Sequence, residues 1–430
     1  MLEKPVDTCA AIVGANWGDE GKGRMVDLLA ADYDVVVRYQ GGGNAGHTVV
    51  NEYGTFALHL LPSGIFNDGV LNVLGNGVAL NAEQLFREID TLKDQGVHVG
   101  PDNLVISERA SLLLPWHRDL DNLEEARLAD KQYGSTRQGI APFYSDKFQK
   151  KTILAGELRD PQRLQEHIAD ILEWKNLTLT KVYGAPEAKL VDVMEWIDTW
   201  AMRLVPYLVS TADVLSQAKK DGKRILFEAQ LGALRDIDFG IHPFTTSSNT
   251  VAAYAPVGSG LPSLTIDRVV AVVKAYSTCV GAGPFTCEWF GEKADKLRDA
   301  GGECGATTGR PRRVGPLDLV ATRYGIQMQG ATEIALTKLD VLSDMDEIPI
   351  CFSYDVYGTQ TGEFPFPADL DEAHPVEQTL PGWQRDISGC RTWDELPEQA
   401  RAYVEYVEQQ LGCPIRYVSV GAQREAYILR

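Results

Sequence analysis

No apolar run in this sequence approaches the ~20 residues needed to span a bilayer, which excludes a helical membrane segment. Residues 1–7 have neither the basic start nor the apolar core of a secretion signal, so a cytoplasmic protein is expected. Positive charge is in deficit: 41 Lys and Arg stand against 60 Asp and Glu, a formal charge of −19. A chain this acidic lacks the clustered cations that neutralise a phosphate backbone, which argues against nucleic acid as a partner. Cysteine is sparse and unpatterned. The seven (Cys9, Cys279, Cys287, Cys304, Cys351, Cys390, Cys413) are odd in number and include no Cys-x-x-Cys pair, against both a disulfide framework and a zinc site. Internal repeats and low-complexity tracts are absent too. What remains is an ordinary globular composition, with 430 residues enough for a substantial core.

The chemistry in the sequence is concentrated in two glycine-rich turns. The first reads Gly18-Asp19-Glu20-Gly21-Lys22-Gly23-Arg24, the second Gly41-Gly42-Gly43-Asn44-Ala45-Gly46-His47-Thr48. Glycines let backbone N–H groups approach phosphate oxygens, and a following helix N-terminus adds its positive dipole end. Residues 8–14 read as an apolar strand and 21–31 as a helix, the setting expected of a phosphate loop. The Gly-x-x-x-x-Gly-Lys-Ser/Thr form is nevertheless missing, because Asn16 takes the first glycine position and Gly23 follows Lys22. With no hydroxyl after the lysine to hold magnesium, Asp19 becomes the candidate metal ligand.

Short apolar strands at 35–39, Ile225–Glu228, Glu333–Thr337 and Ile415–Ser419 alternate with helical patterns at Ala82–Asp94, 190–218 and 397–411. The alternation predicts an α/β protein with a large, mainly parallel central β-sheet flanked by helices. Ligands of such sheets bind at the carboxyl ends of the strands, where each motif here falls. One domain over 1–430 is expected, carrying insertions, with approximately 100–220 a largely helical one.

Two further motifs complete the set. Ala306-Thr307-Thr308-Gly309-Arg310-Pro311-Arg312-Arg313 gathers hydroxyls, a glycine and three guanidiniums, and the planar guanidinium fork suits carboxylate or phosphate. Thr337-Lys338-Leu339-Asp340 follows a strand, and its carboxylate can accept from both N1–H and the exocyclic amine of guanine. Adenine has no such donor pair, so Asp340 selects GTP over ATP.

In this order and spacing the motifs resemble the adenylosuccinate synthetase family, GTP-binding ligases that couple IMP to L-aspartate using GTP and magnesium. The resemblance extends through Gly134-Ser135-Thr136, Phe227-Glu228-Ala229-Gln230, Asp236-Ile237-Asp238, residues 243–249 and 280–285, Pro381-Gly382-Trp383 and Ser419-Val420-Gly421, covering 9–430. It implies that Asp19 is the general base for the N1 proton, that His47 is the acid beside the transferring phosphoryl group, and that Lys22 offsets that group's charge. GTP would be held by Gly18, Glu20, Gly21, Gly23, Arg24, Thr48, Arg312, Lys338, Leu339, Asp340, Ser419, Val420 and Gly421. IMP would be held by Asn44, Ala45, Thr136, Lys150, Leu231, Thr246 and Arg310. Aspartate would fall to Ala306, Thr307, Thr308, Gly309, Arg310, Pro311 and Arg312, and Mg2+ to Asp19 and Gly46. A homodimer is implied, with Lys150 reaching the partner's site.

Three positions depart from the family pattern. Gly43 stands where many members carry histidine. Phe227-Glu228-Ala229-Gln230-Leu231-Gly232 replaces Phe-Glu-Gly-Ala-Gln-Gly, so without gaps Leu231 replaces a base-facing glutamine, whereas a one-residue slip lets Gln230 supply it. The ungapped alignment keeps Asp236-Ile237-Asp238 in register. Lys150 falls where an arginine is common, and lysine loses the two-point fork. The favoured reading is ligation of aspartate to IMP; the alternatives are the same chemistry on a 2-amino-6-oxopurine nucleotide and a non-catalytic GTP-binding switch.

Overall fold

The computed structural model describes residues 8–51, 54–304, 309 and 311–430, with the backbone alone described at 47–51 and 55. Its centre is a ten-stranded sheet. Across the sheet the strands run Tyr427–Leu429, Ile415–Ser419, Glu333–Thr337, Arg268–Lys274, Cys9–Gly14, Ile225–Glu228, Val35–Arg38, Leu71–Leu74, Leu104–Ser107 and Leu208–Val209. Every neighbouring pair is parallel except the last-formed edge, where Tyr427–Leu429 runs antiparallel to Ile415–Ser419. The central strands are nearly all apolar, as expected of strands covered on both faces: Cys9–Gly14, Val35–Arg38 and Ile225–Glu228 are buried throughout.

Parallel pairing puts the carboxyl ends of Cys9–Gly14, Val35–Arg38, Ile225–Glu228, Arg268–Lys274, Glu333–Thr337 and Ile415–Ser419 along one edge, and the motif-bearing loops leave from that edge. The strands expected at Ile225–Glu228, Glu333–Thr337 and Ile415–Ser419 and the helix at Ala82–Asp94 form with those limits, the helix capped by Asn81 accepting from the Gln84 amide at 3.1 Å. The helix read over 397–411 starts one residue later, at Glu398, behind Pro397.

The single helix expected over 190–218 is replaced by four pieces. Helix Leu190–Thr199 ends at Trp200, a 3₁₀ segment Ala201–Tyr207 contains Pro206, strand Leu208–Val209 joins the sheet, and helix Thr211–Lys220 restarts after Ser210, whose hydroxyl accepts from the Asp213 amide. Proline cannot continue an α-helix, and the serine supplies a new N-terminus. Between strands Leu104–Ser107 and Leu208–Val209 lie helices Pro115–Leu128, Ile140–Gln149, Pro161–Leu177 and Leu190–Thr199. The first, third and fourth share an apolar cluster that includes Trp116, Ile168, Leu172, Val193 and Ile197 with Phe86 and Leu204, while Ile140, Phe143 and Tyr144 of the second pack with Ala79 and Leu113. A separate small sheet pairs Glu347–Val356 with Ala373–Pro381 and Thr359–Thr361.

Candidate active site

The first glycine turn leaves strand Cys9–Gly14 and enters helix Lys22–Ala30. Gly18 and Gly21 take φ of 100° and 99°, conformations open to glycine, and Asp19 is held at φ 59° between them. The turn is shaped by Glu20. Its buried carboxylate accepts from the amides of Asn16 (3.1 Å) and Gly18 (2.8 Å) and pairs with Lys22 Nζ at 2.6 Å. Gly14 is required beneath it, since a Cβ there would lie 2.5 Å from Glu20 Oε2. Thus the Glu20 side chain faces inward and anchors the loop, while Lys22, 8% exposed, waits against it. Gly23 is buried within the helix.

Arg312 ties the turn to the opposite strands. Its Nε donates to Asp19 Oδ2 at 3.0 Å and its Nη1 to Glu303 Oε2 at 2.6 Å. Glu303 is completely buried and is the hub of the site: it also accepts from Lys274 Nζ (3.0 and 3.1 Å), Lys338 Nζ (2.8 Å) and the Tyr276 hydroxyl. Burial alone would raise its pKa, but Lys274 and Lys338 hold it well below the usual carboxylate range. Burial pushes Lys274 down to about 8, against the pull of Glu303. Neither Glu303 nor Lys274 was singled out from sequence. A lysine closing the apolar strand Arg268–Lys274 at the sheet's carboxyl edge was the available signal.

On the far side, Lys338 sits at φ 59° after strand Glu333–Thr337 and also donates to the Gly301 carbonyl at 2.6 Å. Leu339 is buried beneath the turn. Asp340 follows; its Oδ1 is buried with no hydrogen-bond partner among the described residues, and burial raises its pKa. Arg24 crosses to the closing turn, donating to Ser419 Oγ at 2.8 Å and to the Gly421 carbonyl, with its guanidinium 4.4 Å from the centre of the Tyr427 ring. The Val420 amide donates to the Ala426 carbonyl at 3.0 Å.

The second glycine turn is clamped by Gln230. Its Oε1 accepts from the Gly42 amide at 2.9 Å, and its Nε2 donates to the carbonyls of Gly42 (2.7 Å) and Ala45 (2.6 Å). Both ends of that amide are occupied, so Gln230 is not presented to a base. Leu231, at φ 61°, instead lies beside the phosphate turn, its Cδ2 3.4 Å from where a Cβ on Gly18 would stand. At Gly43 the Gln84 side chain fills the volume that a larger residue would take. Asn44 Oδ1 and Thr246 Oγ1 are buried without hydrogen-bond partners among the described residues. Thr136 is exposed on a loop whose Gly134 lies against Ala282, and Lys150 is exposed at φ 61°, just past helix Ile140–Gln149.

Several expected residues lie wholly or partly beyond description. Ala306, Thr307, Thr308 and Arg310 are outside the described residues; Gly309 and Pro311 are exposed. His47 and Thr48 are described as backbone only, in strand His47–Asn51, which forms a hairpin with Gly54–Leu58 directly after Gly46.

Comparison with known proteins accords with this arrangement. The adenylosuccinate synthetase family model matches residues 11–428. The chain is 48% identical over 423 residues to adenylosuccinate synthetase 2 of Pseudoalteromonas translucida, covering 97% of this chain and 99% of that one. It is 45% identical over 422 residues to the Nitratidesulfovibrio vulgaris adenylosuccinate synthetase, at the same coverages. The fully ligated adenylosuccinate synthetase of Plasmodium falciparum superposes with a TM-score of 0.92 at 34% identity, over 98% of this chain and all of the other. The succinoaminodeoxyadenylate synthetase of cyanophage S-2L, solved with dGMP and dATP, shares the fold at a TM-score of 0.61 and 21% identity, over 98% of this chain and 95% of the other.

Proposed function

The chain belongs to the adenylosuccinate synthetase family, and from that premise we propose how its own residues perform the family reaction, GTP-dependent ligation of L-aspartate to C6 of IMP. The 6-oxygen of a purine leaves poorly, so it must first become a phosphate ester. Asp19 takes the N1 proton, O6 attacks the γ-phosphorus of GTP, and GDP departs. The aspartate amine then adds at C6, sheds a proton and expels phosphate, leaving adenylosuccinate. A positioned carboxylate suits the first step because it needs only hydrogen-bond reach and a matched pKa.

Lys22 and the turn amides offset charge on the moving phosphoryl group, and His47 serves as its acid partner. Asp340, Lys338 and the 419–421 turn frame guanine; Asn44, Thr136 and Thr246 hold IMP; Arg310 and Arg312 hold the aspartate carboxylates. Magnesium fits the hard oxygen set formed by the Asp19 carboxylate and the Gly46 carbonyl, completed by phosphates and water. Asp19 Oδ2 is engaged by Arg312 while Oδ1 takes no hydrogen bond from a described residue, which leaves an oxygen for the ion. Bound there, it supplies positive charge to the GTP oxygens. We further infer a cytoplasmic homodimer in which exposed Lys150, beside the 81%-exposed Phe148, serves the partner's IMP.

The observation that carries these assignments is that three of the buried side-chain atoms without partners among the described residues, Asn44 Oδ1, Thr246 Oγ1 and Asp340 Oδ1, belong to residues assigned to the nucleotides. A buried polar atom left unsatisfied costs about 1–3 kcal/mol, and a bound nucleotide relieves that cost. The test is a substrate panel of IMP, GMP, dGMP and XMP with GTP, magnesium and aspartate, read by product mass. Aspartate-dependent release of phosphate with IMP is the expected result; faster turnover of GMP or dGMP would replace IMP as substrate, and phosphate release indifferent to aspartate would remove the ligase reading.

A further inference from the structure

Glu303 follows Gly302, which at φ 58° terminates helix Gly291–Gly301, and its side chain is completely buried. Its donors converge from separate parts of the chain. Lys274 closes strand Arg268–Lys274, Tyr276 follows it, Lys338 follows strand Glu333–Thr337, and Arg312 immediately precedes strand Arg313–Gly315. Two carboxylates, Glu303 and Asp19, thus face three cations, Lys274, Lys338 and Arg312. Lys274 meets both Glu303 oxygens, at 3.0 and 3.1 Å, and donates a further hydrogen bond to Thr278 Oγ1 at 2.8 Å. The carboxylate also accepts from Tyr276 and from Arg312 and Lys338, the two cations assigned above to GTP and aspartate.

We propose that Glu303 is a positioning residue for the GTP and aspartate half of the site: it fixes Arg312 and Lys338 in advance of binding and keeps Arg312 shared between two carboxylates instead of closing on Asp19 alone. The inference rests on the functional reading above. Buried ion pairs are weak sources of net stability, since desolvation offsets most of the attraction, whereas fixing charged side chains before a ligand arrives lowers the ordering cost of binding. The IMP side has different supports: Gln230 holds the 41–46 turn, and no hydrogen bond links Glu303 to Asn44 or Thr246 among the described residues. A binding defect at Glu303 is therefore expected for GTP and aspartate, while any effect passed through Arg312 to Asp19 appears in kcat rather than in KM for IMP.

The experiment compares wild type with Glu303→Gln, Glu303→Asp and the pair Glu303→Gln/Lys274→Met, measuring kcat, the three KM values, GDP affinity by calorimetry and thermal midpoint. Glu303→Gln is expected to raise KM for GTP and aspartate by about tenfold or more and to weaken GDP similarly, with KM for IMP within about twofold. The double variant, relieved of the unpaired buried lysine, is expected to recover its midpoint but not its KM values. Recovery of wild-type KM values in the double variant overturns the proposal, because Glu303 would then only neutralise Lys274. An equal rise in all three KM values overturns it as well. Should Glu303→Gln not fold, Glu303→Asp decides: it keeps the charge but shortens its reach, so the same selective pattern is expected, and a lowered midpoint with unchanged KM values refutes it. Failure of the wild type to bind GDP counts against the functional reading; equal GDP binding by wild type and variants counts against Glu303 alone.

Discussion

Replacing Gln230 by alanine tests how the IMP half of the site is organised. The side chain is 4% exposed and makes three hydrogen bonds of 2.9 Å or less to the 41–46 turn, one from the Gly42 amide and two to the carbonyls of Gly42 and Ala45. A neutral hydrogen bond contributes about 0.5–1.5 kcal/mol net, and a buried group stripped of its partner costs about 1–3 kcal/mol. If the turn stayed shut with all three partners stripped, the loss would be roughly 3–9 kcal/mol. The turn can avoid this by opening to water, so the global unfolding free energy should fall by less than that sum. The difference must then be supplied whenever IMP closes the turn again. About 3 kcal/mol corresponds to roughly a hundredfold rise in KM for IMP. Steady-state kinetics with each substrate varied, together with hydrogen exchange at Gly42, provide the measurement. A KM for IMP within about twofold of wild type, with Gly42 still protected, would falsify the clamp.

Asp19→Asn should lower kcat by about 10²–10⁴-fold, the usual contribution of a positioned acid–base group, while the midpoint changes little; near-normal turnover with IMP rules out its role as base. Asp340→Asn replaces an acceptor facing guanine with an amide, so KM for GTP should rise while that for aspartate holds, and equal use of ATP and GTP by the unmodified protein would contradict the assignment. Mixing Lys150→Ala with Asp19→Asn should restore activity through mixed dimers, since one of the two sites would then combine both wild-type residues; demonstrated subunit exchange without recovery refutes a shared site. Glu303 has a folded pKa depressed below its ordinary 4.5, so its stabilisation is fully present above about pH 4.5 and is lost as pH falls through the folded value. Urea midpoints should therefore drop more steeply below about pH 4.5 in wild type than in Glu303→Gln, and parallel acid limbs would show that Glu303 carries no such linkage.

Local signals account for what was legible. Strands Ile225–Glu228, Glu333–Thr337 and Ile415–Ser419 are short apolar runs bounded by breakers, and helix Ala82–Asp94 carries its own cap at Asn81. Over 190–218 the apolar period persists through Trp200 and Pro206, so periodicity alone joined pieces that backbone sterics separate. The phosphate turn was readable because its glycines carry a conformational requirement. The inward anchoring of its Glu20 was not, because it depends on the amides of Asn16 and Gly18 and on the close approach of Gly14 and Gly232 to the carboxylate. Glu303 was hidden for a different reason. Its partners lie up to 35 residues away along the chain, and no local pattern announces a carboxylate that three distant cations will share. The Gln230 clamp likewise needed the fold, because it depends on which backbone groups lie within reach of one amide.

The place of strand Cys9–Gly14 in the sheet sets a schedule for the nascent chain. Both of its neighbours, Ile225–Glu228 and Arg268–Lys274, are encoded far downstream, and Val35–Arg38 also depends on Ile225–Glu228 for one edge. At ~5–20 residues per second, the first-made strand waits roughly 10–40 s on the ribosome before its earliest partner exists. During that interval an almost wholly apolar segment has no native edge to pair with, while the strands Val35–Arg38, Leu71–Leu74 and Leu104–Ser107 can already line up beside one another. The phosphate turn, hung from the end of the waiting strand, is thus translated well before the strands that fix its shape. A truncation ending before residue 225 should leave that strand available to chaperones, and one ending after 274 should not.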